Sequence, residues 1–431
     1  MTGRLAIFLP EGDASRQPAV YTLLHLLAQS GYRIDLFSEA PVLPPDVTLE
    51  GVTAFCAPAK VSNSLSRRLG QRLMQRSPLV VRAVRLRNAV RRMFKKVKEP
   101  FSSALSETSD PRLLVASSNL IELVESSATG ASYAAAIGVG EGGAVLAHYS
   151  LPGVRLLYYS LELFYEGHPE MGGHRFLRIK AAERELFPQV AAVIIQDEER
   201  ARRLWRDMGC AYQPEKVLTF PTSYLGPADY LRSDLLRTRL PEMGDRKILL
   251  QWGSTSKARR TDELLRASRA CPPDLAMVFH GRIGSDCADE LPKAQCWISK
   301  PDLPREAVVD LVASSDIGII FYQENNENDG IIAHASGQLS LFLKCGVPVI
   351  VDNKPSLKLL VDTYGCGVVV DGADEVFQAA HTILSDYDSY SEGALACFEA
   401  EHNLESHFQS LMEFMQAPSS QDEAHIGVGT S

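Results

Sequence analysis

The stretch HASGQLSLFLKCGVPVIVDN, residues 334–353, compresses a polar helix start, an apolar helix, a Gly-Val-Pro stop and a β-branched strand into one run. Ser336 is an N-cap by residue type, and Gly346 followed by Pro348 supplies the stop. The strand after it, VPVIVD, is apolar without alternation, as expected of a strand buried on both faces. A capped helix feeding such a strand predicts a parallel sheet covered by helices. Two roles fit the Ser336-Gly337 mouth: a plain cap on a packed helix, or a seat for an anionic ligand.

The same alternation of apolar runs and amphipathic stretches extends in both directions. Toward the N-terminus, LAIFLP (5–10), YRIDLFS, VTAFCAP, YAAAIGV (133–139), VRLLYYS (154–160) and AAVIIQD (191–197) read as strands. A first helix is expected over about 19–30, stopped by Gly31. A proline-containing region over 212–243 breaks the rhythm. A second set follows: RKILLQWG (246–253), LAMVFHG, QCWIS, DIGIIFY, VPVIVD and GVVVD.

The fold class is therefore α/β, with two Rossmann-like αβ domains facing across a cleft. The expected division is 1–222, carrying a basic helical insertion at about 61–100, and 223–403, followed by a helix at 404–416 that packs back on the first domain. The polar tail, 417–431, is expected to be disordered. Ligands of open α/β sheets sit at the carboxyl ends of the strands, so the loops after strands matter most for function.

Composition narrows the class. The chain has 431 residues, 45% hydrophobic and 23% charged, and a net charge of −9 that argues against general nucleic-acid binding. Its eight cysteines are scattered without a CxxC pair, which fits a reducing compartment rather than a zinc site or a disulfide framework. No apolar run reaches the length of a membrane span, and the N-terminal one is short for a signal peptide, so a cytoplasmic location is expected.

Several loops carry chemistry. In QWGSTSKARRTDELL, Gly253 ends a strand, and Ser254, Lys257 and Arg259 precede a helix; amides and cations grouped there suit a phosphate, although the GxxxxGK[ST] loop is missing. In VFHGRIGSD, Gly281 allows a ligand close to the backbone, with Arg282 beside it. Ser336, Gly337 and Gln338 open the helix of the first-quoted stretch. The polar loop before it, FYQENNENDGIIAHAS, offers Glu324, Asn325, Asn328 and Asp329 to sugar hydroxyls. Each stretch alone fits a solvated loop or tight turn as well.

Taken in order, the strand-Gly253-basic loop, His280-Gly281-Arg282, DLVASSDIGIIFY, Ser336-Gly337-Gln338-Leu339, Cys345-Gly346-Val347-Pro348-Val349-Ile350 and GCGVVV form a series that resembles the retaining nucleotide-sugar glycosyltransferases of GT-B architecture, the large family 4 type or glycosyltransferase group 1. The resemblance covers roughly 247–383. It implies a nucleotide-sugar donor held by the second half. The diphosphate would lie against Ser254, Lys257, Arg259, Ser336, Gly337 and Gln338, and the nucleoside or sugar against Gly281, Arg282, Asn328 and Asp329. Cations and amides can stabilise a departing diphosphate without a metal. The Asp386–Asp388 triplet reads as surface, so no metal ligands and no cofactor are assigned; the nucleotide sugar is a substrate.

This chain departs from that family in its acids. The family glutamate four residues before the Cys345-Gly346 pair is Leu341, and its partner eight residues earlier is Ala333. Ser340 or a loop acid is left as a substitute for the ribose contact. In the first half the family often places a histidine against the transferred sugar. The loops GVGEGGAVLAH and YYSLELFYEGHPE offer Glu141 and Glu162 instead, ahead of His148 and His168. A carboxylate at a strand end in a cleft orients an acceptor hydroxyl or acts as base. Glu162, Glu141 and Arg259 are thus the catalytic candidates.

Residues 67–98 carry twelve basic side chains and no acidic one, interleaved with apolar residues at mixed helical spacing. A basic amphipathic helix of this kind binds anionic membrane, with each cation contributing on the order of 1 kcal/mol near the surface. The combined expectation is a retaining, metal-independent hexosyltransferase, peripheral on the inner face of the plasma membrane. It would build a cell-surface polysaccharide or lipid-linked acceptor. A catalytically inactive nucleotide-sugar-binding subunit and a GT-B-type sugar-nucleotide epimerase are the alternatives.

Overall fold

The computed structural model describes residues 3–10, 18–39, 49–57, 110–166, 168, 173–304, 307–324 and 326–417. The basic stretch 67–98, Asn325 and residues 418–431 lie outside the described residues.

Apolar β-branched runs build two parallel sheets. The first contains β1 (Arg4–Leu9), β2 (Arg33–Ser38), β3 (Val52–Cys56), β4 (Ala135–Val139), β5 (Leu156–Tyr159), β6 (Ala192–Ile195) and β7 (Val217–Thr219), in the order β3-β2-β1-β4-β5-β6-β7. The second contains β8 (Lys247–Trp252), β9 (Leu275–His280), β10 (Trp297–Ser299), β11 (Ile317–Ile320), β12 (Val349–Asp352) and β13 (Gly367–Val370), in the order β10-β9-β8-β11-β12-β13. Both orders reverse direction once, between β1 and β4 and between β8 and β11. These switch points open the crevices in which doubly wound folds bind ligands.

Burial explains the unbroken apolar runs. On β1, Ala6 and Phe8 pack into one core while Leu5, Ile7 and Leu9 pack into another on the opposite face. The second sheet is sandwiched in the same way, with Leu250 and Val351 on one side and Leu249 and Ile350 on the other. A strand with no solvent-facing side has no use for alternating polar residues.

The region over 212–243 holds more order than its prolines suggest. Val217–Thr219 pairs in parallel with β6 as the last strand of the first sheet, and Leu235–Arg239 forms a short helix. After the second sheet, a π-helical turn at Phe398–His402 leads into the helix Leu404–Gln416. That helix buries Leu404 and Leu411 in the core of the first sheet. Arg155 stacks over Phe414 at 4.1 Å from the ring centroid, and Thr219 hydrogen-bonds His407 at 3.1 Å. The chain therefore crosses between the two sheets twice.

Candidate active site

The second switch point is built by two loops, one after β8 and one after β11. After β8, Gly253 turns with φ of +87°, and the backbone runs through Ser254 and Thr255 into a tight turn at Lys257–Arg259. Buried Thr255 donates its hydroxyl to the Arg282 carbonyl at 2.6 Å, locking this loop to the one after β9. Gly281 lies so close that a Cβ there would meet the Gly253 carbonyl at 2.8 Å. Glycine is required where two backbones approach this closely.

From this turn the Arg259 guanidinium stacks on the Tyr322 ring, 3.9 Å from its centroid. One guanidinium nitrogen, Nη1, is buried and has no hydrogen-bond partner among the described residues. Tyr322 in turn donates its hydroxyl to Ser336 Oγ at 2.6 Å. Ser336 caps the helix Gly337–Lys344, accepting the Leu339 N–H at 3.2 Å. Gln338, one residue into that helix, donates to the Trp252 carbonyl at the end of β8. Arg259, Ser336 and Gln338 are thus joined in one cluster. Lys257 and Ser254 lie exposed on the same loop, with the Lys257 N–H donating to Asp286 at 3.0 Å.

Beside this cluster are charged groups that sequence reading passed over. Asp352, at the end of β12, accepts the Tyr322 N–H at 3.0 Å and lies 3.5 Å from Arg260. Burial raises its carboxyl above the usual carboxylate range. Lys354 is also buried, with its ammonium 3.6 Å from Glu324. The signal for Tyr322 and Asp352 is their position, since Asp352 ends β12 and Tyr322 follows β11 by two residues at the carboxyl edge of the sheet. Nothing local distinguished them from ordinary strand-end residues.

Other residues from the sequence reading are engaged by the protein itself. Arg282 is exposed, with its backbone carbonyl tied to Thr255. Asn328 sends its side-chain amide across the crevice to the Leu163 carbonyl, at 2.7 Å. The Asp329 carboxylate accepts the Asn326 N–H at 3.0 Å in a capping box. Ser340 is fully buried against Ser223 at 2.8 Å, so it does not face the crevice. Leu341 and Ala333 are fully buried apolar side chains. Asp386 and Asp388 are exposed at the start of the helix Tyr387–Cys397.

At the first switch point, the helix Gly140–Ser150 starts directly after β4. It lies against the sheet so tightly that a Cβ on Gly143 would meet the Phe8 carbonyl at 2.4 Å. Its first turn, with Leu9, Pro10, Leu161, Glu162 and Phe164, lines a pocket of about 130 Å³. Glu141 and Glu162 are therefore brought to one pocket. His148 stands in the last turn of that helix, away from the pocket mouth, and burial lowers its basicity. His168 is buried with its ring edge-on to Phe164 and Tyr165.

Comparison with known proteins bears on this geometry. Residues 285–397 match the family model described as Glucosyltransferase 3-like, C-terminal domain. Among curated proteins, none matches the chain significantly. Among solved structures, sucrose-phosphate synthase from Thermosynechococcus elongatus superposes with a TM-score of 0.63 at 14% identity, covering 98% of this chain and 100% of that one.

The fold is GT-B.

HepE from Anabaena, in complex with UDP and glucose, has the same GT-B layout, with a TM-score of 0.61 at 14% identity over 95% of this chain and 98% of its own. WaaG, a glycosyltransferase involved in lipopolysaccharide biosynthesis, gives 0.61 at 12% identity over 96% and 100%. At these identities the likeness establishes the GT-B fold.

Proposed function

We propose that this protein is a retaining, metal-independent glycosyltransferase that moves a sugar from a nucleotide-sugar donor to a cell-surface polysaccharide or lipid-linked acceptor. In this reading residues 223–403 bind the donor, and residues 1–222 present the acceptor. The observation that carries it is the Arg259–Tyr322–Ser336 chain at the second switch point. A guanidinium with an unused buried N–H, beside a helix mouth, is matched to a diphosphate oxygen. Such groups are preoriented, so they stabilise the growing charge of the leaving diphosphate without reorganising. HepE was solved with UDP and glucose, which supports a UDP-hexose as the first donor to test.

On the acceptor side, Glu162 and Glu141 share the pocket at the first switch point, where a carboxylate can orient or deprotonate an acceptor hydroxyl. The basic stretch 67–98 supports attachment to an anionic membrane at the cytoplasmic face, which suits a lipid-linked acceptor. No helix among the described residues is long and apolar enough to cross a membrane.

A second reading is favoured by one observation. With Leu341 and Ala333 buried and apolar, neither family glutamate is present to grip the donor, as in a nucleotide-sugar-binding subunit without catalysis. Incubation with UDP-glucose separates the two: binding with transfer of glucose to water and release of UDP supports the transferase, and binding with neither transfer nor hydrolysis supports the subunit. Absence of binding to any nucleoside diphosphate sugar would sink both.

A further inference from the structure

The loop carrying Glu162 is held from both halves of the molecule. Gln196, beside β6 in the first half, donates its amide to the carbonyls of Ser160 at 3.0 Å and Leu161 at 2.9 Å. Lys180, buried in the helix His174–Leu186, donates to the Phe164 carbonyl at 2.8 Å. Between these two anchors, the Leu163 carbonyl receives its bond from Asn328, which belongs to the turn after β11 in the second half. Glu162 is therefore flanked by two side-chain amides, one from each side of the crevice.

The turn that delivers Asn328 is shaped to do so. The Asn326 side chain caps it, the Asp329 carboxylate closes the capping box, and Asn328 is buried at its centre. Two rim contacts hold the turn against the first half. Arg203 donates to the Glu327 carbonyl at 2.6 Å, and the Glu327 N–H donates to the Tyr165 hydroxyl at 3.4 Å. The two carbonyls next to Glu162 differ in one respect. The Leu161 bond lies wholly within the first half, whereas the Leu163 bond joins the two halves.

We propose that Asn328 is a positioning residue that sets the Glu162 carboxylate for the acceptor only in the closed molecule. This rests on the transferase reading above, in which Glu162 meets the acceptor hydroxyl. The turn bearing Asn328 also follows β11 on the chain segment that supplies Tyr322 to the diphosphate cluster. Closure over a donor and placement of the acceptor carboxylate thus share one element. An uncharged amide suits this task, because it donates to a carbonyl without bringing a buried charge into the crevice.

The test uses the full chain with Asn328→Asp, which keeps the size but removes the N–H donor, and Asn328→Ala. Arg203→Ala loosens the same turn from its rim and serves as the variant least at risk in folding. Hydrogen exchange of residues 161–166 is read first, because it needs no substrate. Faster exchange there, with residues 190–196 unchanged, is expected; wild-type exchange in all three variants overturns the proposal. UDP release from UDP-glucose, with water as the acceptor that Glu162 would orient, and UDP-glucose binding are then read separately. The expected result is turnover lowered about ten- to a hundredfold with donor affinity unchanged. Turnover unchanged, or turnover and affinity lost together, overturns the positioning role. If the wild-type chain binds no UDP-glucose, the transferase reading fails by that observation, and the exchange data still decide whether Asn328 holds the loop.

Discussion

Arg259 lies over the face of Tyr322, 3.9 Å from the ring centroid, and so joins the loop after β8 to the loop after β11. These strands are neighbours at the reversal of strand order, where a parallel sheet opens its crevice. The stack holds an always-charged group at that opening, with its buried Nη1 free of a hydrogen-bond partner among the described residues.

Arg259→Ala is expected to weaken UDP binding about ten- to a hundredfold, the range of a lost charge-assisted hydrogen bond. Tyr322→Phe, which keeps the ring under Arg259 and removes only the hydroxyl, is expected to weaken it a few-fold. Titration calorimetry with UDP checks both; equal losses would mean the ring stack is not what positions the cation.

Ser336 caps its helix and also accepts the buried Tyr322 hydroxyl. Ser336→Ala should therefore cost more than a simple cap, about 2 kcal/mol rather than about 1, because the tyrosine hydroxyl loses its acceptor. Urea unfolding of the wild type, Ser336→Ala, Tyr322→Phe and the double variant measures the difference. Additive losses would contradict the coupling.

Lys180 is buried between Glu183 at 2.7 Å and Asp207 at 2.6 Å, while the Tyr158 hydroxyl donates to Glu183 at 2.7 Å. Burial raises the Glu183 carboxyl, and Lys180 opposes that rise. Lys180→Met strands buried Glu183 without its cation, leaves Asp207 only the Arg184 cation at 3.5 Å, and is expected to destabilise by about 3–5 kcal/mol. Thermal or chemical unfolding reads this directly, and a loss under about 1 kcal/mol would contradict it.

Where the chain crosses between the halves, His402 is fully buried and both ring nitrogens lack a hydrogen-bond partner among the described residues. Burial lowers its pKa from 6.5 to about 3, with His334 adding repulsion. His334 stacks on it at 5.5 Å, bonds Glu401 at 3.0 Å and lies 3.7 Å from Asp197. His407 is also held low by burial. A histidine kept neutral in the fold contributes stability that is complete above pH 6.5 and is lost as pH falls toward 3. Glu401, held down at about 2 first by the His334 bond, adds a further loss as pH falls below 4.5. Unfolding free energy should therefore decline from pH 6.5 downward, by up to about 1.4 kcal/mol per pH unit for His402. His402→Phe should flatten that decline between pH 6.5 and 4.5, and an unchanged slope would rule His402 out as its source.

Deleting residues 67–98 is expected to abolish sedimentation with anionic liposomes and leave binding to neutral ones unchanged. Full retention on anionic vesicles would remove the argument for membrane attachment through this stretch.

Much of the architecture was legible in single stretches. Runs such as LAIFL and VPVIVD announce strands buried on both faces, and Ser336 with Gly346 marks both ends of a helix. These signals are local, because capping and burial on both faces act over a few residues. The strand Val217–Thr219 carries no such signal, being three residues long and next to prolines. Among the candidate site residues, Ser254, Lys257, Arg259 and Ser336 stand out in the sequence as helix-start and strand-end groups whose chemistry suits a phosphate.

Which of them meet was not a local matter. That Arg259 rests on Tyr322, and that Asn328 bonds Leu163, follows from strand order and from the packing of one half on the other. The burial of Ser340 and the stacking of His334 on His402 have the same origin. By itself the sequence determined the elements, their caps and the two-sheet class, since each depends on residues close together in the chain. Tertiary structure alone decided the partners across the crevices, because those contacts join residues tens to hundreds of positions apart, whose pairing no local periodicity records.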